Sequence, residues 1–440
     1  MNVVQLAGRQ TKNSSALARS SIVAALDIGS SKISCVIAEA TNLRNKTVVD
    51  TRQTLRVLGF GQTATRGVRA GAITDINGAE CAIRLAVDAA ERMAQTSISE
   101  VVVVMSGGKP ISTSLRGLAK TQTGIVGPAD LDMAIANALA TASIERRALV
   151  HLHPINHALD GYGDIEQPLG MHGDTLQVDV GLTTLDAGYL RNVSQAVTRA
   201  HLEVTDFIIA PYAAAKAALT LDEQALGTLV IDMGGAATSV AFVKNSKLIA
   251  AESVMLGGQH VTNDIAQGLS TSISHAERMK TLFGSALEGG HGDREMLAVP
   301  LLGERGTEAV HHVPRSQLTA IMRARLEEIL EHCVSVIDGE AFVRAATARV
   351  VLTGGASQVA GLRELASHVL QRSVRMGFAA SLNGLHEAQR GGSFAAVTGA
   401  LVQAARPETK YALPQQSKAT FERAQMGYAK RLGRWLVEAL

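Results

Sequence analysis

Two stretches of the chain share one alternation of apolar and polar positions. In Val23-Ala-Ala-Leu-Asp-Ile-Gly-Ser-Ser-Lys-Ile-Ser-Cys-Val-Ile37 an apolar run reaches Asp27, a turn of Gly29, Ser30 and Ser31 follows, and a second apolar run begins after Lys32. Leu229 to Val243 repeats the plan: a strand-like run ends near Asp232, Gly234 and Gly235 turn the chain, and small residues through Ala236 and Thr238 lead into a β-branched run. Each stretch reads as strand, tight turn, strand. Gly234 and Gly235 allow positive φ and let the backbone approach a ligand closely. Turn amides that point one way make a concavity suited to a phosphate. An Asp at the strand tip is placed to hold a hydrated Mg²⁺. One such turn is equally an ordinary hairpin, but two copies imply two similar halves facing one ligand. A third turn, Val350-Val-Leu-Thr-Gly-Gly-Ala-Ser357, again follows a β-branched run and precedes helical spacing from Ala360 to Leu370. Its candidate residues are Gly354, Gly355 and Ser357.

Between these turns the pattern predicts further elements. Ile76 to Gln95 has helical spacing, with Ile83, Val87 and Ala90 on one face. Val101 to Met105 is fully apolar and reads as a buried strand. Ser106-Gly-Gly-Lys-Pro110 lacks the leading glycine and the hydroxyl that a P-loop needs, so it reads as a strand-to-turn junction. Residues 110 to 180 form a small α/β insertion, with strands at Ser112–Arg116 and Val178–Val180 and a helix at Pro128–Ser143. His151, His153 and His157 lie close in sequence, but no Cys or acidic cluster completes a metal set, and strand alternation accounts for the first two. His311 and His312 read as structural or solvent-facing. A helix is expected at Ser194–His201, a strand at Val204–Ile209, and a helix of small residues at Ala210–Leu219.

Gly257 and Gly258 precede another helix. Ser274 to Lys280 begins a further one, with Ser274 and Glu277 spaced as a capping box. Pro314 to Val336 is a long amphipathic helix carrying Arg315, Arg323 and Arg325. Gly391-Gly-Ser393 opens the final helix of the core.

Beyond Ala404 the chain turns polar and offers little to bury, as a flexible linker does. It ends in Gly427-Tyr-Ala-Lys-Arg-Leu-Gly-Arg-Trp-Leu-Val-Glu-Ala-Leu440. At helical pitch Tyr428, Leu432, Trp435 and Leu436 share a face, with Lys430, Arg431 and Arg434 along its side and back. Such a helix is marginal alone in water. It suits a bilayer surface, apolar side chains sunk and basic ones near anionic lipid. Docking on the protein's own core is the alternative.

Composition narrows the class. With 46% apolar and 19% charged residues over 440 positions, most of the chain should be globular. A net charge of +2 argues against a dedicated nucleic-acid binder. Three cysteines, odd in number and far apart, suit a reducing compartment. No apolar run reaches the length of a membrane span, and the first twenty residues lack a signal-peptide core.

Three glycine turns in this order resemble the actin-type nucleotide fold of actin, DnaK-type chaperones and sugar kinases. That resemblance implies an α/β, actin-like (ribonuclease H-like, duplicated) fold that binds ATP with Mg²⁺. Asp27, Gly29, Ser30, Ser31 and Lys32 would form the first phosphate loop, and Asp232, Gly234, Gly235, Ala236 and Thr238 the second. Gly354, Gly355 and Ser357 would form the adenosine loop, with Gly257, Gly258, Glu277 and Lys280 bordering the pocket. The hinge helix opens on Ala210-Pro211, with no acid or amide to position water, which argues against fast hydrolysis.

Core and tail together resemble the FtsA family of bacterial division proteins, which tie FtsZ filaments to the inner membrane. The likeness runs from about Ile22 to Leu440 and includes the Leu256-Gly-Gly-Gln-His-Val-Thr-Asn-Asp-Ile-Ala266 stretch and Val313-Pro-Arg-Ser316. It implies a tail at 1–20, subdomain 1A at 21–100 and 181–222, a 1C insertion at 101–180, and 2A at 223–262 and 336–403. It further implies 2B at 263–335, a linker at 404–423 and a membrane helix at 424–440. Implied partners are the partly acidic FtsZ C-terminal tail, met by Arg315 and Arg325, a head-to-tail polymer of the chain itself, an anionic membrane surface and later divisome proteins. Rival readings on the same fold are a sugar or acetate kinase, which needs a general base not evident here, and an MreB-like filament, which usually lacks the 1C insertion.

Overall fold

The structure, a computed structural model, describes residues 21–41, 51–143, 145–289, 292–303, 310–345 and 348–405. The expected N-terminal tail, nearly all of the linker and the C-terminal helix with Tyr428, Lys430, Arg431, Leu432, Arg434, Trp435 and Leu436 lie outside the described residues. The chain divides into two compact units, one spanning 112–184 and the other formed by the flanking segments.

The larger unit opens with β1 (Ser21–Ile28), β2 (Lys32–Ala40) and β3 (Leu55–Ala64), an antiparallel meander. A small pair, β4 (Val68–Arg69) and β5 (Ala72–Ile73), leads to α1 (Ile76–Ala94) and then β6 (Glu100–Met105). α1 buries Ala79, Ala82, Ile83, Ala86, Val87 and Ala90, the face its spacing predicts. It lies so close to β3 that a Cβ on Gly61 would stand 1.9 Å from the Ala86 carbonyl oxygen.

The smaller unit follows: β7 (Ile111–Lys120), α2 (Pro128–Ala140), β8 (Arg147–Leu159), β9 (Tyr162–Ile165) and β10 (Thr175–Asp186). Its sheet runs β7-β10-β8-β9. α2 packs Leu131, Ala134, Ile135 and Ala138 against Leu176, Val178 and Val180 of β10. The strands are longer than Ser112–Arg116 and Val178–Val180, because β10 continues through Gly181 and two threonines that interrupt the apolar run. His151, His153 and His157 all lie on β8. The first two rings stack at 6.1 Å, and His157 Nδ1 is 3.0 Å from the Ile165 carbonyl. Among the described residues no three His, Cys, Asp or Glu side chains are grouped to hold a metal.

The chain returns through α3 (Ala187–Arg199), β11 (Glu203–Ile209), α4 (Ala210–Ala218) and α5 (Leu221–Leu226). α3 starts well before the expected Ser194, since Asp186 caps it by accepting the Tyr189 amide at 2.8 Å. The second half then runs β12 (Thr228–Met233), β13 (Thr238–Lys244), β14 (Lys247–Val254), α6 (Gly258–Gly268), α7 (Ile273–Phe283), β15 (Met296–Pro300), β16 (Val310–Pro314) and α8 (Arg315–Ile337). It closes with β17 (Arg349–Thr353), α9 (Leu362–Leu370), β18 (Val374–Met376) and α10 (Ala395–Ala405).

The two large sheets have one topology. Their orders are β11-β6-β1-β2-β3 and β14-β13-β12-β17-β18. In each, a three-stranded antiparallel meander comes first, and two later strands join parallel on the other side of its first strand. The chain is a structural duplication, as the repeated Asp-Gly pattern predicts.

α4 leads from one half to the other and packs tightly on α10. A Cβ on Gly399 would stand 1.7 Å from the Ala213 carbonyl oxygen, so only glycine permits this approach. The last carbonyls of α4 take hydrogen bonds from arginines of both halves. Arg52 Nη1 donates to Ala217 O at 3.3 Å and Leu219 O at 3.1 Å, and Arg375 Nη2 to Ala218 O at 2.8 Å. Arg375 Nε also donates to Glu223 Oε1 at 2.6 Å, and Arg375 Nη2 pairs with Glu223 Oε2. No helix among the described residues is long and apolar enough to cross a membrane.

Candidate nucleotide site

The first and second turns are built alike. Gly29 N donates to Lys32 O at 3.1 Å, and Gly234 N to Ala237 O at 2.9 Å. A Cβ on either glycine would stand 2.8 or 2.9 Å from that same carbonyl. Neither Gly234 nor Gly235 has positive φ, contrary to the expected use of that freedom; what both turns need is the missing side chain. Gly354 in the third turn does need the left-handed region, at φ +93°, and a Cβ there would stand 2.5 Å from Asp232 Oδ1.

The two turns face each other. A Cβ on Gly235 would lie 3.4 Å from the Ser31 Cβ. Gln259, at the start of α6, ties them together: its amide donates to Gly235 O at 2.7 Å and its Nε2 to Ser30 O at 3.2 Å. Thr65 braces the first turn from β3's end, donating Oγ1 to Gly29 O at 2.7 Å and its amide to Ser31 O at 3.2 Å. Sequence reasoning singled out neither Gln259 nor Thr65. Both act through contacts distant in sequence, and the one available signal was Gln259's place directly after the glycine pair. Gly257 is required by close approach, since a Cβ there would stand 2.6 Å from Gly234 O.

Asp27 and Asp232 are the next-to-last residues of the first strands of the two halves, β1 and β12. Burial raises the Asp27 carboxyl to about 6, with Lys32 pulling the other way. Burial, and then the charge of Asp27, raises Asp232 to about 7. Burial lowers Lys32 to about 8 against the pull of Asp27, and its Nζ sits 3.4 Å from the centre of the Phe394 ring. Asp27 Oδ1 is shut off from solvent and accepts no hydrogen bond among the described residues. Two carboxylates held near each other without enough counter-charge, one with an orphaned oxygen, suit a divalent cation or its water shell.

Other expected residues are committed to the protein's own backbone. Thr238 Oγ1 donates to Leu256 O at 2.8 Å and Ser357 Oγ to Gly354 O at 2.8 Å, so both hydroxyls shape the turns from within. Ser30 Oγ accepts from Gly71 N at 2.9 Å. Ala236 is buried and Gly355 exposed, with a Cβ on Gly355 standing 3.7 Å from Ser393.

Glu277 and Lys280 meet on α7. Lys280 Nζ donates to Glu277 Oε2 at 2.7 Å, Thr262 Oγ1 at 2.8 Å and Gly258 O at 3.1 Å. Thr262 Oγ1 also donates to Glu277 Oε2 at 2.5 Å. The expected capping box is absent. Ser272, not Ser274, is the N-cap, accepting from His275 N at 3.3 Å, which leaves Glu277 free to join α7 to α6.

Arg315 and Arg325 lie apart from this cleft, on α8, and both are engaged. Arg315 Nε donates to Phe283 O at 2.8 Å, with Glu295 3.7 Å from its Nη1. Arg325 grips Asp264, Nε to Oδ2 at 2.5 Å, and also pairs with Glu328.

A family model described as "Cell division protein FtsA" matches residues 229–399, and one described as "SHS2 domain inserted in FTSA" matches residues 107–184. The chain is 38% identical over 424 residues to the cell division protein FtsA of Rhizobium meliloti (strain 1021), covering 96% of this chain and 95% of the relative. Among solved structures, that of a PilM-PilN type IV pilus biogenesis complex superimposes with TM-score 0.59 at 17% identity, over 88% of this chain and 99% of that one. MreB5 of Spiroplasma citri bound to ADP gives 0.50 at 11% identity, over 86% and 94%. These likenesses establish an actin-like fold with the SHS2 insertion.

Proposed function

The chain belongs to the FtsA family of cell division proteins, and we propose that it is an ATP-binding adaptor that polymerises and holds FtsZ filaments at the cytoplasmic face of the inner membrane. The observation that carries the nucleotide half of this reading is the pair of matched turns, each preceded by a strand with a carboxylate at its next-to-last position, bridged by Gln259. Asp27 and Asp232 would hold a hydrated Mg²⁺. The amides of the first two turns would face the phosphates, and Gly354, Gly355 and Ser357, with Glu277 and Lys280 across from them, would border the adenosine.

ATP between the halves favours the closed form, and head-to-tail contacts then extend a polymer that does not close into a ring. The 101–180 insertion serves the next subunit and later divisome proteins, and the 263–335 region receives the FtsZ tail. Acidic groups of that tail would exchange with Glu295 and Glu328 on Arg315 and Arg325. Reversing both arginine charges should weaken FtsZ-peptide binding, and unchanged affinity would remove this contact from the account. Residues 424–440 supply the membrane helix; several on one polymer anchor far more firmly than one.

The deciding experiment is pelleting with anionic liposomes, ATP and FtsZ, with and without residues 424–440. The full chain should carry FtsZ down and the shortened chain should leave it in solution. A full chain that stays in solution refutes the tether.

A further inference from the structure

The points where the chain leaves and re-enters the larger unit converge on the first phosphate turn. The chain departs through Gly107–Ile111 and returns through Leu185–Tyr189, and Asp186 N donates to Gly108 O at 2.9 Å, joining the two stems. Tyr189 fastens them further. Its hydroxyl lies against Gly107, where a Cβ would stand 3.1 Å from it. Its ring lies so close to Gly108 that a Cβ there would stand 2.4 Å from it, and Gly108 has φ +82°. Gly107 rests in turn on Gly71, where a Cβ would meet the Gly71 carbonyl oxygen at 3.0 Å. Gly71 N donates to Ser30 Oγ at 2.9 Å, inside the phosphate turn itself. Burial raises the phenol, and the charge of Asp27 adds to that rise.

We propose that Tyr189 is a positioning residue that transmits the state of the first phosphate turn to both stems of the insertion. A phosphate that accepts a hydrogen bond from the Ser30 hydroxyl strengthens the bond that Oγ accepts from the Gly71 N–H, and a cation on Asp27 offsets the negative charge near the phenol. Both changes arrive at Gly107 and Gly108, which Tyr189 holds. This inference rests on the nucleotide reading above and adds to it a route by which nucleotide reaches the two stems.

The test is hydrogen exchange on the full chain with and without Mg·ATP, alongside calorimetric ATP binding. Amides of Gly107–Ile111 and Leu185–Tyr189 should exchange about fivefold more slowly with Mg·ATP, the equilibrium equivalent of one hydrogen bond. Tyr189→Phe keeps the ring and removes only the hydroxyl. It should bind ATP as the parent does and lose that slowing. If the parent binds Mg·ATP and the stems do not respond, or if the Phe variant responds fully, the inference falls and the nucleotide reading stands. If the parent binds no Mg·ATP, the nucleotide reading falls and takes the inference with it.

Discussion

Replacing Asp232 by Asn should make the ligand-free protein more stable at neutral pH while weakening its hold on Mg·ATP. Burial first, and the Asp27 charge second, raise this carboxyl from 3.8 to about 7. A carboxyl raised on folding favours the folded chain only while it keeps its proton. The contribution is complete below the unfolded value and is lost as pH climbs through the folded one. At about 1.36 kcal/mol per unit, the rise corresponds to at most about 4 kcal/mol lost between about pH 4 and pH 7. Asparagine has nearly the same shape and no proton to lose. The two proteins should therefore be about equally stable near pH 4, and the variant should lead by up to about 4 kcal/mol near pH 8. Urea unfolding across that range reads the difference directly, since the other titrating groups are common to both. Adding Mg·ATP should close the gap by stabilising the parent alone. A variant less stable than the parent near pH 8, or a gap that does not grow with pH, would show that Asp232 carries no burial penalty.

Two further substitutions test the packing. Gly399→Ala forces a methyl into the Ala213 carbonyl 1.7 Å away and should destabilise the protein by about 1–3 kcal/mol or more in urea unfolding, through separation of α10 from α4. Ser272→Ala removes the α7 cap and should lower stability by about 1 kcal/mol, whereas Ser274→Ala should change it by no more than about 0.5 kcal/mol, a contrast readable in parallel thermal melts.

The duplicated core was legible because its strands are nearly unbroken apolar runs that stop at Asp and Gly. Asp27, Asp232 and Gly354 stand at the turns where that pattern puts them. Capping was less legible, since Ser272 and Ser274 are both good caps and only the path of the preceding chain decides between them. The start of α3 was hidden because its first turn carries Gly188, which reads as loop. Contacts across long separations leave no trace in a local pattern: Gln259 on Ser30, Tyr189 on Gly107 and Arg375 on Glu223 all depend on the folded topology. Arg315 and Arg325 were legible as cations on a helix but not as members of ion pairs with Glu295, Asp264 and Glu328.

The end of α4 has a mechanical consequence. Its last carbonyls are strapped to Arg52 on one side and Arg375 on the other, so a rotation of the two halves cannot leave both straps slack. Arg375 is anchored again through Glu223, a few residues further along the same segment. The final turn of α4 is thus held from both halves at once, and any change in their angle must be taken up at one of these two arginines.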